Sequence, residues 1–439
     1  MFQSKNPTTE EILATFPELT AEEIQQKLAV AHDTYLQWRG TSFAFRAERM
    51  KRLAGIVKAE SRQLGEMMVK EMGKPIKQAV AEAEKCAWVC DYYADNAEKI
   101  LAPESVASEA SESFVRFDPI GPILAVMPWN FPLWQVFRFA APAIMSGNVG
   151  LLKHAMSVPQ CAMKIQELFG RAGFPEGVFQ NLFISVPQVE SVIRDPRVVA
   201  VTLTASERAG RSVAAIAGSE IKKTVLELGG SDPFIVLADA DIPYACQAGV
   251  MARLQNNGQS CIAAKRFIVV KEIASQFIAA YRGLYEKLVI GDPMDEATDI
   301  GPLAADYLLE GLEKQVNESV KKGARVEIGG PSSPRLGGAT PGKLGYFYPP
   351  TILSNVKPGM PAYHEELFGP VASVIVADDA DDAIRIANDT SFGLGASIWT
   401  KDIELAKKLA ARIESGAVFV NGMVKSDPRL PFGGIKRSG

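Results

Sequence analysis

Between residues 113 and 237, short apolar runs alternate with segments of helical spacing, and this alternation strongly constrains the fold. Runs such as VGLLK and VVAVTLT have the length and composition of buried strands, whereas CAMKIQELFGRAG has the spacing of an amphipathic helix. Apolar strands that alternate with helices predict a parallel sheet covered on both faces. We therefore expect a doubly wound, nucleotide-binding α/β fold in this part of the chain.

The chain opens with helical spacing over residues 20–100. AEEIQQKLAVAHDTYLQW predicts one helix, and KRLAGIVKAESRQLGEMMVKEMG predicts another that ends at Gly73 and Pro75. Much later, the Gly- and Pro-rich stretch GGPSSPRLGGATPGKLGYFYPP, residues 329–350, predicts a long surface loop. Strand-like sequence resumes directly after it, so we do not interpret it as a linker between domains.

After LELGGSDP, residues 226–233, the alternation of strands and helices begins again. The strand-like runs FIVV, VASVIVA and AVFVN are separated by sequences with helical spacing. This pattern predicts a second α/β domain. Its predicted helices lie near residues 241–255, 273–288 and 381–388.

Charge and hydropathy argue against nucleic-acid and membrane partners. The 439 residues carry 47 Lys and Arg against 51 Asp and Glu, a net charge of −4, and no long basic run. The start, MFQSKNPTTEE, lacks an apolar signal core. The most apolar long stretch, LWQVFRFAAPAIMSGNVGLL, is interrupted by Arg138, Pro142 and Asn148. We expect a cytoplasmic protein.

The five cysteines indicate a reducing compartment. They are odd in number, sparse for the length, and show no paired CxxC spacing, so we expect no zinc or other metal site. Cys86 and Cys90 are four residues apart in a predicted helix, where two small buried side chains are the simplest interpretation. Cys261 stands apart from these, within NNGQSCIAAKR.

Three interpretations of Cys261 are open: a buried filler, half of a disulfide, or a nucleophile. A nucleophilic thiolate needs a nearby positive charge, a helix N-terminus or a general base. His32, His154 and His364 are all far from the cysteine in sequence, so a Cys-His hydrolase would need the fold to bring one of them to Cys261, and nothing in the spacing favours this. The small, polar GQS triplet before Cys261 suggests a flexible approach that a buried filler does not require, and it favours the nucleophile.

Three further stretches complete a pattern. MPWNFPL puts Asn130 on a Pro-bracketed turn, LELGGSDP puts Glu227 before two glycines, and EELFGPV puts Glu366 and Phe368 before a Gly-Pro turn. Taken singly, each is explained by a turn, a strand end or a core residue. Together with GQSC, they resemble the aldehyde dehydrogenase superfamily from EMGKP to PFGGIKRSG, nearly the whole chain. The likeness is sharpest to bacterial and cyanobacterial succinate-semialdehyde dehydrogenases, through WNFPLWQVFR, LLKHA, LELGGSDPFIVL and NNGQSCIAAKRF.

The resemblance implies a catalytic set of Cys261, Glu227 and Asn130. Attack by the cysteine on an aldehyde forms a thiohemiacetal, whose oxyanion the family stabilises with the Asn130 amide and the cysteine N–H. Hydride transfer to nicotinamide leaves a thioester, and the Glu227 carboxylate activates water to hydrolyse it. Such a set needs no histidine as the general base.

The implied cofactor site lacks the common fingerprint, since no G-x-G-x-x-G follows a predicted strand. The family binds the pyrophosphate at a strand-to-helix turn that here reads LTASERAG, with Leu203 and Ala205 substituted. Lys153 matches the lysine on the adenine ribose, and Glu366 and Phe368 match the residues at the nicotinamide. The cofactor-binding residues implied by the resemblance are Trp129, Lys153, Ser206, Gly210, Leu228, Glu366 and Phe368.

Met156 bears on the choice of cofactor. It stands three residues after Lys153, where NAD-preferring relatives carry a glutamate that would repel a 2′-phosphate. NADP is therefore permitted, with NAD as the alternative.

Arg138 and Ser426 match positions on the walls of the substrate tunnel. An arginine in an apolar stretch needs an anion to meet, and the carboxylate of a short semialdehyde would supply one. We therefore expect succinate semialdehyde as the substrate. Gln255 stands where some relatives carry a second arginine, so glutarate semialdehyde and medium-chain aldehydes stay open. A non-redox thioester or ester hydrolase using the same thiol is the alternative from another class.

The resemblance also implies a domain organisation. Residues 1–103 and 122–227 would form the Rossmann-like cofactor domain, and residues 228–422 the catalytic domain. Residues 104–121 would be an oligomerisation segment and 423–439 a return segment. The family pattern continues past Gly439 in a strand that joins a neighbouring subunit. We expect a homodimer or a homotetramer.

Overall fold

The computed structural model describes residues 1–330 and 345–439, and the chain divides into two compact units. Of the loop expected at 329–350, residues 331–344 lie outside the described residues. The first unit contains Met1–Lys5, Ile12–Glu71 and Ala79–Leu226. The second unit contains Asn6–Glu11, Met72–Gln78 and Glu227–Gly439.

The chain up to residue 227 confirms the helical opening, followed by alternating strands and helices. Its elements are β1 (Phe2–Lys5), β2 (Ile12–Phe16), α1 (Ala21–Trp38), α2 (Phe43–Ala59), α3 (Ser61–Met72), α4 (Ile76–Ile100), β3 (Glu104–Ser105), β4 (Phe114–Val115), β5 (Pro122–Met127), α5 (Trp134–Met145), β6 (Val149–His154), α6 (Pro159–Arg171), β7 (Phe179–Asn181), α7 (Val186–Arg194), β8 (Ala200–Thr204), α8 (Glu207–Ser219) and β9 (Lys223–Glu227).

One helix prediction in this region is wrong. KRLAGIVKAESRQLGEMMVKEMG is not one helix, because the chain leaves helical geometry at Glu60, between α2 and α3. The Glu60 carboxylate forms ion pairs with Lys164 and Arg171 of α6. A tertiary contact of this kind leaves no trace in the local apolar spacing. The predicted end of α3 before Gly73 is confirmed.

The sheet of the first unit has the strand order β7-β6-β5-β8-β9. The pairs β5–β6, β5–β8 and β6–β7 are parallel, which confirms the doubly wound, Rossmann-like architecture. The chain forms β5, then β6 and β7 on one side of it, and then β8 and β9 on the other. Ligands bind at the carboxyl ends of strands where the order reverses in this way. Asn130 follows β5 and Ser206 follows β8, so both lie at this edge of the sheet.

The second unit also alternates strands and helices, which confirms a second α/β domain. A seven-stranded sheet has the order β12-β13-β14-β11-β10-β15-β16, parallel except for the antiparallel edge pair β12–β13. Its elements are β10 (Asp232–Val236), α9 (Ile242–Leu254), β11 (Ala264–Val270), α10 (Lys271–Tyr285), α11 (Asp306–Lys321), β12 (Arg325–Ile328), β13 (Thr351–Ser354), α12 (Pro361–His364), β14 (Val371–Ala377), α13 (Ala380–Asn388), β15 (Gly395–Trp399), α14 (Ile403–Ala410) and β16 (Ala417–Val420), with 3-10 turns at Gln255–Gly258 and Lys436–Ser438.

Residues 104–121 carry a small antiparallel hairpin of β3 and β4. Five large apolar side chains of this segment are between 45% and 51% exposed. They are Val106, Phe114, Val115, Phe117 and Ile120. Among the helices of residues 1–330 and 345–439, none has the length and apolar character needed to span a membrane.

Candidate active site

Cys261 differs from the other four cysteines in its exposure. All five lie within the described residues, and none is in a disulfide bond, which removes that interpretation. Cys86, Cys90, Cys161 and Cys246 are buried, as expected for the first two, whereas Cys261 is half-buried. Burial raises the pKa of Cys246 to about 12, so this thiol stays protonated at neutral pH. Cys261 is therefore the thiol with access to a ligand.

The expected flexible approach to Cys261 is wrong. Asn256 and Asn257 both have left-handed backbone angles, with φ of 55° and 57°, and the segment from Asn256 to Ser260 is buried. Asparagine and glycine adopt this conformation at lower cost than other residues. The Asn256 N–H donates to Gln78 Oε1 at 2.6 Å, and Asn257 Nδ2 donates to the Gly73 carbonyl at 2.8 Å. The polar side chains serve to anchor this turn.

Arg253 joins this turn to the segment that carries Phe368. Its guanidinium is fully buried and donates to the carbonyls of Gly258, Leu367 and Gly369. Burial lowers the pKa of Arg253 to about 10, which leaves it charged at neutral pH. One buried cation thus fixes the main chain on both sides of Phe368 and just before Cys261. Sequence reasoning missed Arg253, because it donates to main-chain carbonyls and not to side chains that a motif would contain.

Lys265, at the start of β11, is a second buried cation next to the cysteine. Its Nζ donates to the carbonyls of Ser260 and Cys261, both at 2.7 Å, and lies 3.2 Å from Glu366 Oε1. The same Glu366 oxygen accepts from the Gly230 N–H at 3.1 Å. A Cβ on Gly230 would lie 2.7 Å from the Cys261 carbonyl oxygen, so this close approach requires a glycine. The structure therefore brings Cys261, Glu366 and the glycine pair together within the second unit.

Glu227 ends β9 and is buried, with 8% of its surface exposed. The next residues are held by the C-terminal segment: the Leu228 N–H donates to the Ser438 carbonyl at 2.8 Å, and Ser438 Oγ donates to the Gly229 carbonyl at 2.7 Å. Ser426, in the same segment, is buried as well. Ser438 is a positioning residue that sequence reasoning missed.

In the first unit, the turn that carries Trp129 and Asn130 is fixed from two sides. Glu82 Oε1 accepts from the N–H groups of Leu133 and Trp134, at 3.0 and 2.9 Å, at the start of α5. A carboxylate at a helix N-terminus satisfies unpaired donors and opposes the helix dipole.

His154 holds the other side of the turn and is not a general base. Its Nδ1 accepts from the Ala155 N–H at 2.9 Å, so the proton lies on Nε2, which donates to the Pro132 carbonyl at 2.9 Å. Burial lowers the pKa of His154 to about 4. The neutral ring therefore anchors the turn two residues after Asn130.

The remaining cofactor residues of the first unit lie at strand ends and at the start of α8. Lys153 is buried in β6, and burial lowers its pKa. Ser206 caps α8, and the Gly210 N–H already donates to the Ser206 carbonyl at 3.0 Å. Because Ser206 Oγ also accepts from the Ala209 N–H, the helix N–H groups that could meet an anion are those before Ala209. Met156 follows β6 and is 40% exposed.

Arg138 is half-buried in α5. It lies near Tyr93 of α4: burial raises the pKa of Tyr93, and the arginine charge opposes that rise. The arginine thus sits in a partly desolvated environment, where a charge is costly unless compensated.

Comparisons with known proteins agree with this arrangement of elements. The sequence model described as the aldehyde dehydrogenase family matches residues 1–439. A Synechocystis protein named "Probable succinate-semialdehyde dehydrogenase" (NADP+) is 51% identical over 434 residues, 99% of this chain and 94% of the relative. Succinate-semialdehyde dehydrogenase (NADP+) 1 of Mycobacterium bovis is 50% identical over 437 residues, with coverage of 99% and 94%.

A solved structure is similar over the whole chain. It is the crystal structure of succinic semialdehyde dehydrogenase from Streptococcus pyogenes in complex with NADP+. The TM-score is 0.96 at 38% identity, and the match covers 100% of this chain and 95% of the other.

Proposed function

Because the chain belongs to the aldehyde dehydrogenase family, we propose that it oxidises succinate semialdehyde to succinate with NADP+. The observation that carries the proposal is the half-buried Cys261, held by Arg253 and Lys265 while the other four thiols are buried. The relatives at about 50% identity bear names with this substrate and this cofactor, which supports the choice of both.

The proposed chemistry assigns one step to each catalytic residue. The Cys261 thiolate attacks the aldehyde carbon and forms a thiohemiacetal, and its oxyanion accepts hydrogen bonds from the Cys261 N–H and the Asn130 amide. Bound NADP+ would supply the hydride acceptor. Loss of hydride leaves a thioester, and the Glu227 carboxylate takes a proton from the water that hydrolyses it. The products are succinate and the regenerated thiol.

The residues present fit a dinucleotide at several points. The first-turn N–H groups of α8 suit a pyrophosphate, and Glu366 offers a carboxylate to ribose hydroxyls. Met156 places no negative charge where a 2′-phosphate would be repelled. We propose that Trp129, Lys153, Ser206, Gly210, Leu228, Glu366 and Phe368 bind the cofactor.

We also propose that the carboxylate of the semialdehyde meets Arg138 and that Ser426 lines the same tunnel. A half-buried guanidinium can form a charge-assisted, bidentate contact with a carboxylate, which supports this assignment.

The test combines two variants with a matched control. Cys261→Ser should abolish turnover while NADP+ still binds, because a hydroxyl is rarely ionised at neutral pH. Glu227→Gln should allow a burst of reduced cofactor, equal to the enzyme present, and then stop at the thioester. Glu286→Gln, an exposed glutamate paired with Arg282, should leave both phases unchanged.

Absorbance of reduced nicotinamide is the measurement for these variants. Normal turnover by Cys261→Ser would contradict the covalent step. Ester hydrolysis by the wild type with no reduction of NADP+ in the presence of succinate semialdehyde would favour the hydrolase instead.

We propose that residues 104–121 form an assembly segment of a homodimer or homotetramer, with residues 1–103 and 122–227 as the cofactor domain, 228–422 as the catalytic domain and 423–439 as a return segment. The apolar side chains exposed on the hairpin support an interface there. Light scattering on the purified protein measures the assembly. We also propose a cytoplasmic location, which the absence of disulfides among the five cysteines supports.

A further inference from the structure

We propose that Lys265 is a positioning residue that holds the Cys261 main chain and the Glu366 carboxylate in one arrangement and places a positive charge beside the thiol. The inference rests on the proposed function for the roles of Cys261 and Glu366.

The ammonium group of Lys265 has three oxygen atoms as partners. Nζ donates to the carbonyls of Ser260 and Cys261, both at 2.7 Å, and forms an ion pair with Glu366 Oε1 at 3.2 Å. An ammonium has three donors and no acceptor, so this set matches the charged form. The side chain is 1% exposed, so water competes little for these contacts. These contacts hold the Lys265 ammonium group in one position.

The acceptors belong to parts of the chain with different expected roles. The two carbonyls flank the nucleophile, and Glu366 is the carboxylate expected at the nicotinamide ribose. Glu366 also accepts from the Gly230 N–H, three residues after Glu227. Movement of Lys265 would therefore disturb the nucleophile, the cofactor carboxylate and the chain that follows the expected base together.

Four charged or titratable groups face Lys265. They come from the turn before β11, from β10, from α9 and from the segment after α12: Cys261, Asp232, Arg253 and Glu366. Burial lowers the pKa of Lys265 and Arg253 adds to this, whereas Glu366, Asp232 and the Cys261 thiolate oppose it. Because the interaction is mutual, an ammonium that the thiolate favours also favours the thiolate.

Alkylation of the protein without cofactor or substrate measures this effect directly. The rate with iodoacetamide, followed from about pH 6 to about pH 10, gives the apparent pKa of the Cys261 thiol. Cys261→Ser supplies the background, since the other four thiols are buried. Lys265→Met should raise the apparent pKa by about one unit and slow alkylation at neutral pH roughly tenfold. Lys271→Met is the matched control, an exposed lysine of the same unit, and should change neither.

Lys265→Met leaves the Glu366 carboxylate without its cation and could therefore disturb folding. A second pair of variants controls for this. Glu366→Gln removes the carboxylate, and the double variant Lys265→Met with Glu366→Gln removes both charges. The double variant should have a higher apparent thiol pKa than Glu366→Gln alone, by about one unit. Equal pH profiles in this pair, with unchanged circular dichroism, would overturn the role of Lys265.

The outcome for Lys265 is separable from the proposed function. Alkylation needs neither aldehyde nor NADP+, so the predicted shift can be present in a protein that does not oxidise succinate semialdehyde. That result would retain the role of Lys265 and reject the substrate. Turnover of succinate semialdehyde with no shift in the thiol profile would retain the function and reject the role of Lys265.

Discussion

The buried, neutral His154 should make the stability of the first unit depend on pH. In an unfolded chain the imidazole takes up a proton near pH 6.5, whereas burial in the native state lowers its pKa to about 4. The unfolded state therefore binds more protons between these values. The contribution of His154 is fully present above about pH 6.5 and is lost as the pH falls toward 4.

The size of the effect follows from the two pKa values. Their difference of about 2.5 pH units corresponds to about 3 kcal/mol at the low end of the range, and to about 2 kcal/mol at pH 5. Loss of hydration on burial is the main reason why the native state disfavours the charged ring, and the contacts with the carbonyls of Pro132 and Met127 oppose this effect only in part. A new proton on Nδ1 would cost the hydrogen bond from the Ala155 N–H, whereas the Met127 carbonyl, 3.3 Å from the same nitrogen, could accept it.

The assay compares urea unfolding at pH 7 and pH 5, followed by tryptophan fluorescence. Other groups titrate in this range as well, so the informative quantity is the difference between wild type and His154→Gln. The variant should lose about 2 kcal/mol less than the wild type on this change of pH. His32→Gln, a half-buried histidine of α1, is the control. An equal loss in wild type and His154→Gln would refute the reasoning.

Three other predictions concern substitutions in the first unit and their effects on stability and turnover. Glu82 and Glu71 each accept two N–H groups at a helix start, so Glu82→Gln and Glu71→Gln should each lower the free energy of unfolding by about 1.5–3 kcal/mol. Steady-state kinetics should separate the two variants. Glu82→Gln should lower kcat, because α5 follows the Asn130 turn, and Glu71→Gln should raise KM for NADP+, because α6 follows the segment of Lys153 and Met156. Identical kinetic effects would contradict this. Met156→Glu should shift the ratio of kcat/KM values toward NAD+ about tenfold or more, and an unchanged ratio counts against the adenosine assignment. Arg138→Ala should reduce kcat/KM for succinate semialdehyde roughly ten- to a hundredfold and leave butanal nearly unaffected, whereas equal losses would make the arginine structural.

The order of strands and helices was predictable because buried parallel strands are apolar throughout and differ clearly from amphipathic helices. The apolar pattern carries no information about direction, so the antiparallel pairing of β12 with β13 was not predictable from it. At the break between α2 and α3, Glu60 pairs with Lys164 and Arg171, about a hundred residues away in sequence. Such contacts are invisible to a local pattern.

The candidate site was predictable where side chains act on ligands and not where they act on the main chain. Lys265, Arg253 and Glu82 bind carbonyl or N–H groups of the main chain. Nearly every residue has these groups, so the sequence does not show which ones are bound. A signal for Lys265 did exist: the run AKRFIVV places two cations at the start of an otherwise apolar strand, where an unpaired charge would be expensive.

The Asn-Gly pair at Asn257 and Gly258 is a site of possible deamidation when the protein is heated. In an unfolded chain, the backbone nitrogen of the glycine attacks the side-chain carbonyl carbon of the asparagine and displaces ammonia, and water then opens the resulting succinimide ring to give aspartate or isoaspartate. In the native turn the Asn257 amide is buried, donates to the carbonyls of Gly73 and Pro302, and accepts from the Gly301 N–H, so the side chain cannot rotate toward that nitrogen. Deamidation then proceeds mainly from unfolded molecules. In a deamidated chain, a carboxylate would replace the Asn257 amide and could not donate to the carbonyls of Gly73 and Pro302. The fraction of protein that refolds on cooling should therefore fall with the time spent unfolded.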